Sequence, residues 1–244
     1  MQKVTHSEYI AQKKPLAKQL LAKLNEKYQY ASVLITDNYE KGYRASRSGV
    51  AISATNAFGG KGMIVKVYDG KGYAEYSTNE ITAENLPEIE REIEQQLMNP
   101  ANFIPEGTEE AEYKCISDEP CTLCEATDYE IHPREVGDEK LIETVTALRE
   151  KAVKADERIL DAITGFNYQE YHKLFLSANR ELEQSVLYST GIMALVAAKG
   201  EEIKQSFRGF SNLGGAELLD KMESAIPQCV KTVTDLLNAE PMEP

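Results

Sequence analysis

The stretch SRSGVAISATNAFGGKGMIVKVYDGKGYAEYSTNEIT, residues 46–82, decides the fold. Residues 43–56, which overlap its start, alternate small or apolar with polar side chains, the pattern of a half-buried antiparallel strand. The pair Gly59-Gly60 relieves the steric limits on φ and marks a loop. Residues 62–70 (GMIVKVYDG) form an apolar strand, and Asp69-Gly70 is a strong hairpin signal that returns the chain through GYAEYST at 72–78. Thr82 then starts a helix with Glu84 near its positive end. Leu86, Ile89, Ile93 and Leu97 form its buried face, and Pro100 ends it.

Upstream, Ile10, Leu16, Leu20, Leu21 and Leu24 recur at helical spacing over residues 7–28, with Ser7 as N-cap. YASVLITD at 30–37 is rich in β-branched residues and reads as a strand, with a turn bracketed by Asn38 and Gly42. Downstream the texture changes. Residues 99–137 hold Pro100, Pro105, Pro120 and Pro133, the acidic run Glu109 to Glu112, and three cysteines. They read as a long connector with little regular structure.

Asp138 caps a helix buried through Leu141, Val145, Leu148 and Val153. Strand signals follow in ERILDAITGF, a turn near Asn167, YHKLFLSA, ELEQSVLYST, GIMALVAAKG and EEIKQSFRGF. Asn179-Arg180 and Lys199-Gly200 are turn candidates. A last helix carries Leu218, Met222, Ile226, Val230, Val233 and Leu237, with a kink or break expected at Pro227.

The expected fold is therefore α+β, two similar antiparallel-sheet-plus-helix units at 1–98 and 138–244 joined by the 99–137 connector. Both halves show a Gly, an apolar strand, a Gly turn and an aromatic-bearing return strand. One duplicated unit explains this, although hairpins of any origin share the texture.

Composition narrows the function. The chain has 244 residues, a formal net charge of -13 and a pI near 4.8. Nucleic-acid affinity comes mainly from Lys and Arg neutralising phosphates, so direct DNA or RNA binding is not expected. No apolar run approaches the ~20 residues that span a bilayer. No signal peptide is legible at the start, which places the chain in the cytoplasm.

The sharpest local cluster is Cys115, Cys121, Cys124 and His132. Three thiolates and an imidazole suit a tetrahedral structural zinc, but the spacing lacks a second close ligand pair, and incidental thiols are the other reading. Gly59-Gly60-Lys61-Gly62 lacks the phosphate-loop order. Glu88, Glu90, Glu92 and Glu94 are spread around their helix and read as a solvated face. Tyr43, Tyr68, Tyr73 and Tyr76 concentrate in the first sheet, where they either pack its core and edge or line a peptide-binding or subunit surface.

The 46–82 stretch, together with FLSANRELEQSVLYSTGIMALVAAKG at 175–200 and LLNAEPMEP at 236–244, resembles the N-terminal region of the TldD/PmbA family, described as modulators of DNA gyrase. Its catalytic members are similar to zinc metallopeptidases with a His-Glu-x-x-x-His motif. The three histidines here, His6, His132 and His172, have no following Glu. No catalytic residue is carried over, and this chain alone is expected to be inactive and to bind no cofactor. The resemblance implies a non-catalytic portion that contributes to chamber and subunit assembly. It further implies a homo- or heterodimer with a TldD/PmbA-type subunit, unfolded peptide substrates, and zinc in a catalytic half. The alternative is a protein- or peptide-binding module unrelated to proteolysis.

Overall fold

The computed structural model describes residues 1–54, 60–98 and 113–240. The expected loop residues Ala57 to Gly59, Pro100, Pro105, the acidic run at 109–112 and the last four residues of the 236–244 motif lie outside them.

A short strand, β1 (Gln2–Lys3), precedes helix α1 (Glu8–Lys27). The Ser7 hydroxyl accepts from the Ile10 N–H at 3.1 Å, satisfying one of the helix's orphan donors. Strand β2 (Tyr30–Ser46) then runs straight through the turn expected at 38–42. Asn38 spends its side chain on Gln169 across the sheet. Gly42 marks a close approach, since a Cβ there would lie 1.9 Å from Asn167 Oδ1. Strands β3 (Gly49–Ala54), β4 (Lys61–Tyr68) and β5 (Tyr73–Thr78) follow. Gly70 has φ +103, and Asp69 Oδ1 accepts from the Lys71 and Gly72 N–H groups, which closes the β4–β5 turn.

Helix α2 (Leu86–Met98) begins four residues after the expected Thr82, because the Thr82 N–H is spent on Asn85 Oδ1. Glu90 is not solvated: it lies 2.9 Å from Lys23 and 3.8 Å from Lys27, tying α2 to α1.

The connector is more ordered than expected. It contains β6 (Cys121–Ala126), β7 (Asp128–Tyr129) and the short helix α3 (Pro133–Val136). β6 pairs in parallel with β9 (Arg180–Lys199), so the backbone groups on that side are satisfied by the sheet. Helix α4 (Asp138–Lys154) is capped by Gly137, not Asp138. β8 (Ile159–Ser177) is continuous through Asn167, which is exposed on the open face of the sheet. β9 likewise merges two expected strands. The turn before β9 falls at 178–179, one residue earlier than the expected Asn179-Arg180, a second turn follows Lys199, and β10 (Glu202–Leu213) comes next. The final pattern breaks at Ala225 into α5 (Leu218–Ser224) and α6 (Ile226–Leu236). Pro227 occupies the first turn of α6, where its missing N–H costs nothing.

The fold is α+β. Apart from β1, which pairs with β7 in a separate two-stranded sheet, the strands of both halves lie with the connector's β6 in a single eight-stranded sheet of order β10-β9-β8-β2-β4-β5, with β3 on β2 and β6 on β9. β2 and β8 pair antiparallel at the centre. From that centre each half runs outward in the same order, with β3 and β4 together occupying beside β2 the place that β9 takes beside β8. Buried apolar positions share one face of the sheet: Ala31, Val33, Ile35, Tyr43 and Ala45 on β2 are matched by Ala162, Phe166, Tyr168, Leu174 and Leu176 on β8. The helices cover this face in two clusters, α1 with α2 over one half and α4, α5 and α6 over the other. Among the described residues no helix is long and apolar enough to cross a membrane.

Candidate functional site

Between the two apolar clusters runs a polar seam on the central strands. In β8, Glu170 stands opposite Tyr39 and His172 opposite Asp37 of β2. On its other side His172 stands opposite Ser185 of β9. The N-terminal segment brings in His6, α3 brings His132 and Arg134, and β6 brings Cys124. All three histidines of the chain therefore meet one network.

Glu170 is 8% exposed. Its Oε1 lies 2.7 Å from Arg134 Nε and 3.5 Å from His132 Nε2, and its Oε2 lies 3.8 Å from His172 Nε2. Oε1 has no aligned hydrogen bond, so charge holds it. Burial pushes this carboxyl up, but His172, Arg134 and His132 more than offset it and hold it below the usual glutamate value.

His172 Nδ1 is 2.9 Å from Ser185 Oγ, and the same oxygen is 2.9 Å from His6 Nδ1. His6 Nε2 is 3.5 Å from Cys124 Sγ. A hydroxyl has one proton, so Ser185 donates to one imidazole and accepts from the other. With the His172 Nε2–H directed at Glu170, the assignment runs one way: Ser185 donates to His172, accepts from His6, and leaves His6 Nε2 to receive the thiol proton. This line of donors could pass a proton between an exposed thiol and a buried carboxylate. Ser185 is 1% exposed, so the Glu-His-Ser set is closed to a substrate.

The sequence candidates distribute differently. Cys115, Cys121 and Cys124 are exposed. Cys121 and Cys124 sit three apart on a strand and point to opposite faces. Cys124 meets His6, while His132 meets Glu170 and caps α3 by accepting from the Arg134 N–H. The four do not converge. Among the described residues no three His, Cys, Asp or Glu side chains are placed to hold a metal ion. Zinc does not fit these residues, and no step is assigned to it in this chain.

Of the tyrosines, Tyr43 is not on a surface. It is 1% exposed and its hydroxyl donates to Asp138 Oδ1 at 2.7 Å, because odd-numbered residues of β2 face the helices. Burial and that bond push its phenol pKa well up. Tyr43→Phe should cost about 1 kcal/mol in urea unfolding with an unchanged slope; no loss would show the bond to be idle. Tyr68 is buried too. It and the partly exposed Tyr73 grip an extended run of this same chain: Tyr68 donates to the Tyr113 carbonyl at 2.6 Å, and Tyr73 donates to the Lys114 carbonyl at 2.8 Å while accepting from the Ile116 N–H at 2.7 Å. Tyr76 packs partly buried against the α1–α2 cluster. A surface groove of about 1200 Å³ lies apart from the seam between α4 and α6 and is lined by residues such as Glu150, Lys154, Glu223 and Lys231.

No protein-family model matches the chain, and no curated protein matches it. Solved structures do. A proposed modulator of DNA gyrase from Bacteroides thetaiotaomicron is 17% identical with a TM-score of 0.67, over 94% of this chain and 51% of that one. Another, from Thermotoga maritima, is 13% identical with a TM-score of 0.71, over 94% and 50%. TldE from Thermococcus kodakarensis is 13% identical with a TM-score of 0.62, over 90% and 47%. The chain thus spans about half the length of these structures, and it carries the fold of the DNA-gyrase-modulator and TldE group that its sequence resembles.

Proposed function

We propose that this chain is the non-catalytic portion of a TldD/PmbA-like metallopeptidase system acting on unfolded peptides in the cytoplasm, where it helps to build the chamber and the subunit contacts. One observation carries this reading: 94% of the chain is spent on a fold that makes up about half of proteins in that group. The seam fits the role, because its reactive-type side chains are buried or tied to one another. Zinc and the water-activating base belong, on this reading, to a separate catalytic portion. The inside-out order of the two halves is read as duplication of one helix–sheet–helix unit. Superposing an experimental structure of residues 8–98 on 138–236 should lay β2 on β8 and β5 on β10 with strand directions matching.

A second reading, a peptide-binding module unrelated to proteolysis, draws on the way Tyr68 and Tyr73 hold main-chain groups of an extended segment. One assay separates the two. An unstructured peptide is incubated with this chain, with a TldD-type catalytic subunit, and with both, each with zinc. We expect no cleavage by this chain alone and a changed rate or product pattern in the mixture. Metal-dependent cleavage by this chain alone overturns the first reading, and an unaltered mixture favours the second.

A further inference from the structure

Cys124 is exposed, and its Sγ lies 3.5 Å from His6 Nε2. That ring nitrogen carries no proton when Nδ1 donates to Ser185. A thiol within reach of a base, with the base oriented by a third group, is the arrangement of an activated nucleophile.

The imidazole is held in place by its own segment. The Val4 N–H donates to the Thr127 carbonyl at 3.0 Å, and Val4 is buried. Ser7 caps α1 and donates to Asp37 at 2.6 Å. Ser185 Oγ, 2.9 Å from Nδ1, fixes the rotation of the ring. Glu183 stands opposite Cys124 in the parallel register, with Oε1 3.6 Å from His6 Nδ1. Its carboxylate stabilises the charge that the ring gains on taking a proton. It also repels a thiolate on the neighbouring strand, but Lys14 of α1, 2.9 Å from Glu183, offsets that repulsion.

The other cysteines lack this arrangement. Cys121 stands opposite Arg180, which is spent on Asp118 at 3.6 Å and on the Glu119 carbonyl at 2.8 Å. Cys115 meets only the Ile116 carbonyl, at 3.6 Å. Cys229 is buried. Nor does Cys124 have a thiol partner. Along a strand, Cys121 and Cys124 are about 10 Å apart, beyond the roughly 7 Å that a disulfide can bridge. Cys115 lies beside β5, four strands from β9 in the sheet.

We propose that Cys124 is a thiol–disulfide exchange site for small disulfides, with His6 as its base. His6 Nε2 takes the thiol proton as Sγ attacks one sulfur of the incoming disulfide. The S–S bond of that disulfide breaks, and the departing sulfur takes the proton back from His6. The products are a mixed disulfide at Cys124 and one free small thiol. With no second cysteine in reach, the mixed disulfide persists. The inference is independent of the peptidase reading, because its test reads an adduct and not cleavage.

The reduced chain is treated with bis(2-hydroxyethyl) disulfide, a neutral probe that nearby charges do not steer. Acid-quenched samples are read by intact and fragment mass spectrometry. Cys124 should gain the adduct at least about tenfold faster than Cys121 or Cys115. His6→Gln keeps a polar side chain but removes the base, and should slow Cys124 by about tenfold or more. In the same molecules Cys121 should stay within about threefold of its wild-type rate, since its own exposure and surroundings are unchanged. Equal rates at Cys121 and Cys124 in the wild-type chain overturn the proposal. So does a Cys124 rate untouched by His6→Gln, or an internal disulfide formed without an adduct.

Discussion

Phe166→Ala should destabilise the fold by about 4 kcal/mol, the largest loss expected from any single side chain here. Phe166 is fully buried at the middle of β8. It stands opposite Tyr43 of β2 on one side and Gly191 of β9 on the other. Gly191 leaves the space above it to Met222 of α5, since a Cβ there would lie 2.4 Å from the Met222 sulfur. The ring is therefore wedged between a buried tyrosine and a helix side chain that already fills its own gap. Removing it leaves a cavity that long paired strands cannot collapse around. Equilibrium urea unfolding measures the loss. A change under about 1.5 kcal/mol would mean that the sheet relaxes into the gap, and that the ring does not key α5 onto the central strands.

The second large effect comes from charge. Glu170→Ala should cost about 3 kcal/mol at neutral pH, because it leaves the positive side of a largely buried network without its anion. Arg134 is half-exposed and can turn to water, whereas the buried His172 Nε2–H is left facing no carboxylate. Glu170→Gln keeps the shape and isolates the charge. The sign of the pH dependence follows from the carboxyl being held below its usual value in the folded state. Its contribution is present above the unfolded pKa and is lost as pH falls through the folded one. The gap between wild type and Glu170→Gln should thus be widest near neutrality and shrink below about pH 4. A gap of equal size at pH 7 and pH 3.5 would show that Glu170 acts through packing and not through its charge.

The seam was partly legible. The sequence places a turn at Asn179-Arg180, and counting outward from it pairs His172 with Leu187; the turn falls one residue earlier, and that shift pairs His172 with Ser185. His6 and Glu170 carry no such signal, since their partners come from the N-terminal segment and α3 through packing alone. The cysteines part for a related reason. Closeness in sequence within a strand sends alternate side chains to opposite faces, so Cys121 and Cys124 part where a loop could have joined them. Parity decides between the two readings of the tyrosines: Tyr43 lies on the helix face of β2, and only the pairing of that strand says which face the helices cover.

Local chemistry by itself determined the long helices, the Ser7 cap of α1, the break beside Pro227, the turns at Asp69-Gly70 and after Lys199, the α+β class and the resemblance to the gyrase-modulator group. Spacing, φ limits and missing N–H groups act within a few residues and can be read there. Only the tertiary structure decided that Asn38, Gly42 and Asn167 lie inside strands, that the two halves share one sheet through β2 and β8, and that β6 joins it from the connector. Those are choices between satisfying a polar side chain in a turn and satisfying it across a sheet. The neighbouring strand settles them, and it can lie more than a hundred residues away.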